Sequence, residues 1–129
     1  MKRPILLGLA VLAFVAVAAT AQVHIVNVTG STFVDSISAT NVTTIQFGQT
    51  VQWVRLNGTH AVTSGFGPGA GSGALFNLTL NTTTTTASYT PVAPGSIAYY
   101  CAVHNAFGMI GTIVVLPPPL FPGSGEDFN

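Results

Sequence analysis

The stretch "YYCAVHNAFGMIG", Tyr99–Gly111, contains the only cysteine of the chain, Cys101, together with His104 and Met109. Just before it runs an apolar, aromatic segment, Ile97–Cys101, and just after it another, Met109–Leu116, each with the composition of a buried strand. A thiol, an imidazole and a thioether therefore share one short loop between two strands. Such a loop needs partners, and the rest of the chain supplies them as strands. Val23–Thr29 alternates and is rich in β-branched residues. Thr43–Phe47 and Val51–Leu56 flank Gly48-Gln49-Thr50, which predicts a hairpin turn. His60–Thr63, Leu75–Leu80 and Ala87–Thr90 complete the set, with Phe76, Leu78 and Leu80 on one face. Seven or eight short strands with turn residues between them predict an all-β sandwich or barrel.

The N-terminus reads as a leader. Lys2 and Arg3 precede the apolar run Ile5–Ala19, and Ala19-Thr20-Ala21 has the small-x-small form of a cleavage site. Residues 1–21 are thus expected to be a signal peptide, 22–116 the folded domain, and 117–129, "PPPLFPGSGEDFN", a flexible Pro/Gly-rich tail. The expected product is exported, periplasmic or extracellular, with no membrane attachment after cleavage. Arg55 is then its only strong base, against Asp35, Glu126 and Asp127. There is no basic patch for nucleic acid, and docking must rely on shape and apolar contact. A lone cysteine forms no internal disulfide, and in an oxidising compartment it survives only if protected or occupied.

Cys101-x2-His104-x4-Met109 is three-quarters of a donor set that selects copper: one thiolate and two imidazoles in a plane, with a weak thioether on the axis. His60, following the strand that holds Trp53, supplies the missing imidazole. Zinc competes less well, because methionine is a poor zinc ligand and the domain body offers only Asp35 as an acid. The three histidines after the leader are too few for an oxygen-reducing copper cluster, so no enzyme is expected.

"GTHAVTSG", Gly58–Gly65, with "YYCAVHNAFGMIGTIVV", Tyr99–Val115, resembles the cupredoxins, the small blue copper proteins, most closely the plastocyanin and pseudoazurin type. The resemblance spans roughly residues 23–115, the first half in pattern only. It implies a Greek-key β-sandwich holding one type 1 copper ion on His60, Cys101, His104 and Met109. It also implies a monomer that cycles between Cu(I) and Cu(II) and carries single electrons between a redox protein donor and acceptor. Docking is expected on an apolar face near His104. A copper-binding or copper-delivery protein without redox duty is the alternative. Two residues depart from the pattern. Val103 stands where relatives carry proline, which adds an N–H near the sulfur. Ala61 stands where plastocyanins carry an asparagine whose side chain ties the two ligand loops together.

Other features have plainer readings. Trp53 belongs in a core. Tyr99 and Tyr100 face opposite ways on one strand, one of them inward. In plastocyanins a tyrosine here marks a second electron route, but no acidic patch accompanies Tyr100, so it reads first as a strand residue. The glycine-rich Phe66–Gly73 lacks the features of a phosphate cradle and reads as a surface loop. His24, third in a chain beginning at Gln22, is either a strand residue or one arm of a square-planar Cu(II) site with the terminal amine. Five Asn-x-Thr sequons, at Asn27, Asn41, Asn57, Asn77 and Asn81, arise naturally in threonine-rich strands.

Overall fold

The structure, a computed structural model, describes residues 22–120. The expected leader and most of the expected tail lie outside the described residues. Within them the chain forms nine strands: β1 (Val23–Thr29), β2 (Thr32–Asp35), β3 (Val42–Gln46), β4 (Thr50–Arg55), β5 (His60–Ser64), β6 (Asn77–Leu80), β7 (Thr86–Tyr89), β8 (Gly95–Cys101) and β9 (Ile110–Leu116). The only helical element among the described residues is a 3-10 turn at Asn105–Phe107. The strands form two sheets, β2-β1-β4-β7 and β3-β9-β8-β5-β6, packed face to face.

The strand beyond the seven or eight expected is β2. Four residues are too few to show alternation, but the turn chemistry was present. Gly30, at φ +55°, and Ser31 make a two-residue link, and Thr29 pairs with Thr32 across it.

The hairpin expected at Gly48-Gln49-Thr50 is not one. β3 pairs in parallel with β9, and β4 with β1 in parallel and β7 antiparallel, so the turn carries the chain from one sheet to the other. The physical reason lies in the inner faces. Ile45 of β3 and Val51 and Trp53 of β4 are all buried, and they meet across the core from opposite sheets. Glycine and alternation look the same in an arch as in a hairpin. Gln49 secures the arch, since its Oε1 accepts from the Gln46 amide at 2.8 Å and its Nε2 donates to Gln22 at 3.1 Å.

The core is aromatic at its centre. Trp53 is fully buried, with its ring 5.3 Å from those of Tyr99 and Phe76, and Phe33 lies edge-on to Tyr99 at 4.8 Å. Val26, Val28, Val62, Leu80, Ile113 and Val115 close around them. Packing of this kind fixes the ends of β5 and β8, which carry the candidate site.

Asp35 ends β2 and is buried. Its Oδ1 accepts from the amides of Ser38 at 2.7 Å and Ile37 at 3.0 Å, which folds the following loop back on itself. Burial pushes the carboxyl up, but these donors outweigh it and hold the pKa below 3.8. A depressed carboxylate contributes stability above its unfolded pKa and loses it as pH falls through the folded value. Denaturant unfolding at stepped pH should therefore show a loss of stability below 3.8. Asp35→Asn should cost about 1 kcal/mol at neutral pH and flatten that acid limb. An unchanged acid limb in the variant would remove Asp35 as its source.

Candidate metal centre

Register builds the site. β5 and β8 are antiparallel neighbours with Val62 opposite Cys101, which sets His60, two residues earlier on the same face of β5, diagonally across from the thiol. Both His60 and Cys101 are 0% exposed. Beyond Cys101 the chain leaves the sheet, and the 3-10 turn returns it. The Phe107 amide donates to His104 O at 2.9 Å, and Gly108, at φ +71°, closes the turn by donating to Asn105 O. That geometry brings His104 back over the cysteine. Met109 follows, fully buried, and its carbonyl accepts from the Cys101 amide at 2.9 Å.

Three of the four candidate ligands present donor atoms to one another. Cys101 Sγ lies 3.5 Å from His104 Nδ1 and 3.8 Å from His60 Nδ1, and all three donor atoms fall within 4.8 Å. A first-row metal ion bonded to nitrogen and sulfur in a plane holds such atoms roughly 3.8 Å apart. The spacing therefore fits one ion. Met109 lies buried at the foot of the same loop.

The protonation pattern suits this. His60 Nε2 donates to Asn57 O at 2.7 Å, which places the proton on the outer nitrogen and leaves the Nδ1 lone pair facing Cys101. Burial lowers the His60 pKa below 6.5; the Asn57 carbonyl opposes this, and His104 and Arg55 add to the depression. His60 is thus a neutral imidazole at neutral pH, with its Nδ1 lone pair free to bind a metal.

The comparisons with known proteins bear on the fold. No family model and no curated protein matches the sequence. Solved structures do match. A fern plastocyanin mutant superposes with a TM-score of 0.56 at 18% identity, over 71% of this chain and 99% of that one. The Cu(I) form of an amicyanin mutant gives 0.56 at 21%, over 78% and 88% of the two chains. A reduced amicyanin mutant gives 0.55 at 21%, over 71% and 80%. The fold is that of the cupredoxins. The all-β Greek-key sandwich expected from the sequence is therefore present, built from nine strands.

Within this cupredoxin fold the departure at Ala61 has an answer in the backbone. The Ala102 amide donates to Ala61 O at 3.0 Å, so the two loops are joined without a side chain. Tyr99 is the inward tyrosine, but Tyr100 is no more open, being 3% exposed. Its hydroxyl pairs with Ser72 of the glycine-rich loop. The same loop reaches the 3-10 turn, since a Cβ built on Gly67 would lie 3.9 Å from Asn105 Oδ1. His24 has its Nε2 hydrogen-bonded to Gln49 Oε1 at 3.0 Å within the β1–β4 pairing, a strand residue's role.

Arg55, Asn57 and Gly58, which shape the His60 side, were not singled out from sequence as part of the site. Their signal was position alone: Arg55 ends β4, and Asn57 and Gly58 lie in the loop that delivers His60.

Proposed function

We propose that this chain is an exported blue copper protein that carries single electrons between redox partners. The observation that carries the reading is the triad of His60 Nδ1, Cys101 Sγ and His104 Nδ1 at single-ion spacing, two of its residues buried and the third half-buried. These three residues hold the metal, with Met109 as the weak fourth donor. Thiolate and thioether favour Cu(I), imidazole serves both oxidation states, and the mixed set selects copper over zinc. Copper bound there supplies a centre that accepts and returns one electron.

The chain's own residues do the rest. His60 and Cys101 are buried, which excludes water and favours retention over delivery of the ion to another protein. His104 is half-buried and so forms the edge of the site nearest solvent. Around it lie apolar side chains with nothing over them: Phe107 is 73% exposed, with its ring 6.3 Å from the His104 ring, Val103 and Ile110 are more than half exposed, and Phe66 is 94% exposed on the adjoining glycine-rich loop. A patch of this kind marks a contact surface. The partner is a redox protein that presents its own apolar rim there, bringing its cofactor near the imidazole. Residues 1–21 serve as the leader, 22–116 as the domain and 117–129 as a tail. The protein works as a monomer, without enzymatic activity.

The test is the visible spectrum of copper-loaded protein, with reversible one-electron reduction. A colourless copper complex would overturn the reading. The docking face has its own measurement. Arg55 and Asp35 are the only strongly charged side chains among residues 22–120, so long-range steering is weak and exchange with the partner should depend little on ionic strength. Phe107→Lys should slow that exchange while leaving the copper spectrum unchanged. Steep salt dependence in the wild type, or an unaffected Phe107→Lys rate, would move the docking face elsewhere.

A further inference from the structure

The imidazole that the site buries most deeply is held from behind by a residue outside the donor set. Asn57 lies in the loop between β4 and β5, three residues before His60. Its side chain spans to the β1–β2 turn, where Oδ1 accepts from the Gly30 amide at 2.8 Å and Nδ2 donates to Thr29 Oγ1 at 2.9 Å. On the other side its carbonyl accepts from His60 Nε2 at 2.7 Å. The loop has two further ties: the Leu56 amide donates to Val28 O at 2.9 Å, and Arg55 Nε donates to Gly58 O. Gly58 completes the wrap. It sits at φ +75°, and a Cβ there would come within 2.9 Å of His60 Nε2, so the loop follows the edge of the ring as closely as backbone can.

A neutral imidazole has one N–H and one lone pair, and whichever nitrogen donates fixes the role of the other. The Asn57 carbonyl takes the Nε2 proton, but a carbonyl in an exposed loop is a firm acceptor only if the loop is held. The two side-chain bonds of Asn57 do that holding, with the β1–β2 turn as anchor. We propose that Asn57 is the positioning residue of this centre: by clamping its own loop to the β1–β2 turn it fixes the tautomer and aim of His60 and turns Nδ1 toward Cys101. The consequence for copper rests on the functional reading above. The clamp itself does not.

The test begins with metal-free protein, by nitrogen-15 NMR of the imidazoles. His60 should appear as the Nε2–H tautomer with a slowly exchanging ring proton. In Asn57→Ala that proton should exchange about tenfold faster, because the local opening is easier. Asp35→Ala provides the control, since it removes the acceptor for two amides in a different loop. At denaturant concentrations that equalise global stability, it should leave the His60 exchange rate at the wild-type value. Thr29→Val, which deletes one of the two bonds, should move in the same direction as Asn57→Ala by less. In the copper-loaded series, Asn57→Ala should lower copper affinity about tenfold, the size expected for loss of a group that orients a ligand. An Nδ1–H tautomer in the wild type, or equal acceleration in Asn57→Ala and Asp35→Ala, would overturn the proposal. A wild type that shows the protected Nε2–H but takes up no copper would overturn the functional reading and leave the clamp standing.

Discussion

Replacing Cys101 with serine should abolish the intense visible absorption of the copper-loaded protein while leaving the sandwich folded. The thiolate is the only sulfur anion the chain can offer, so no other residue can restore a sulfur-to-copper charge-transfer band. A serine hydroxyl is not deprotonated at neutral pH and is a far harder donor. The fold should tolerate the change because serine is nearly the size of cysteine and occupies the same space beside His60 and His104. The stability cost should be about 1 kcal/mol, within the ordinary range for a single substitution. Copper titration followed by absorption, with thermal unfolding of the metal-free variant, makes the check. A variant that stays blue would remove Cys101 from the donor set.

Gly111→Ala should have the largest effect on stability. Gly111 lies opposite Tyr99 in the β8–β9 pairing, and a Cβ built there would fall on the tyrosine ring. The ring has nowhere to go, being packed between Phe33 and Trp53. Overpacking at such a point should cost about 3 kcal/mol. Tyr99→Leu should relieve much of that cost in the double variant, because it removes the atoms in the way. Tyr99→Phe alone should be close to neutral: the Tyr99 hydroxyl has no hydrogen-bond partner, and burial pushes its pKa up to about 12, so the phenol stays protonated. Chemical denaturation of the wild type, Gly111→Ala, Tyr99→Leu and the double variant gives the coupling directly. Additive effects of Gly111→Ala and Tyr99→Leu would mean the two side chains do not compete for space.

Much of the candidate site was legible because most of its donors are local. Cys101, His104 and Met109 lie in one loop, and the sequence spacing already dictates that a tight turn must fold the imidazole back over the thiol. His60 was reachable only by asking which histidine completes the set. The supporting shell was not legible in the same way. That Asn57 anchors to Gly30, or that Ala61 is tied to Ala102 through backbone atoms, depends on which strands become neighbours. Alternation does not report neighbours. Trp53 reads as a core residue from its size alone, yet nothing in the sequence says that β3 and β4 face the core from opposite sheets. The aromatic clash that makes glycine obligatory at Gly111 is similarly a property of register. The sequence shows only a glycine two residues after a methionine.

The parallel pairing of β3 with β9 has a consequence for how the protein comes to exist. Val42 must wait for Thr112, and Ile45 for Val115, before the five-stranded sheet can close. On a ribosome, the first half of the chain can pair β1 with β2 and β4, but the hydrogen-bonding edge of β3 stays open until almost the last residue of the domain has been made. Contacts so distant along the chain close slowly, because loop entropy is lost before packing compensates it. An unfinished chain is thus kept from setting early. Late closure would suit the export proposed above, because a chain that stays open during translocation can pass a narrow channel before it becomes rigid.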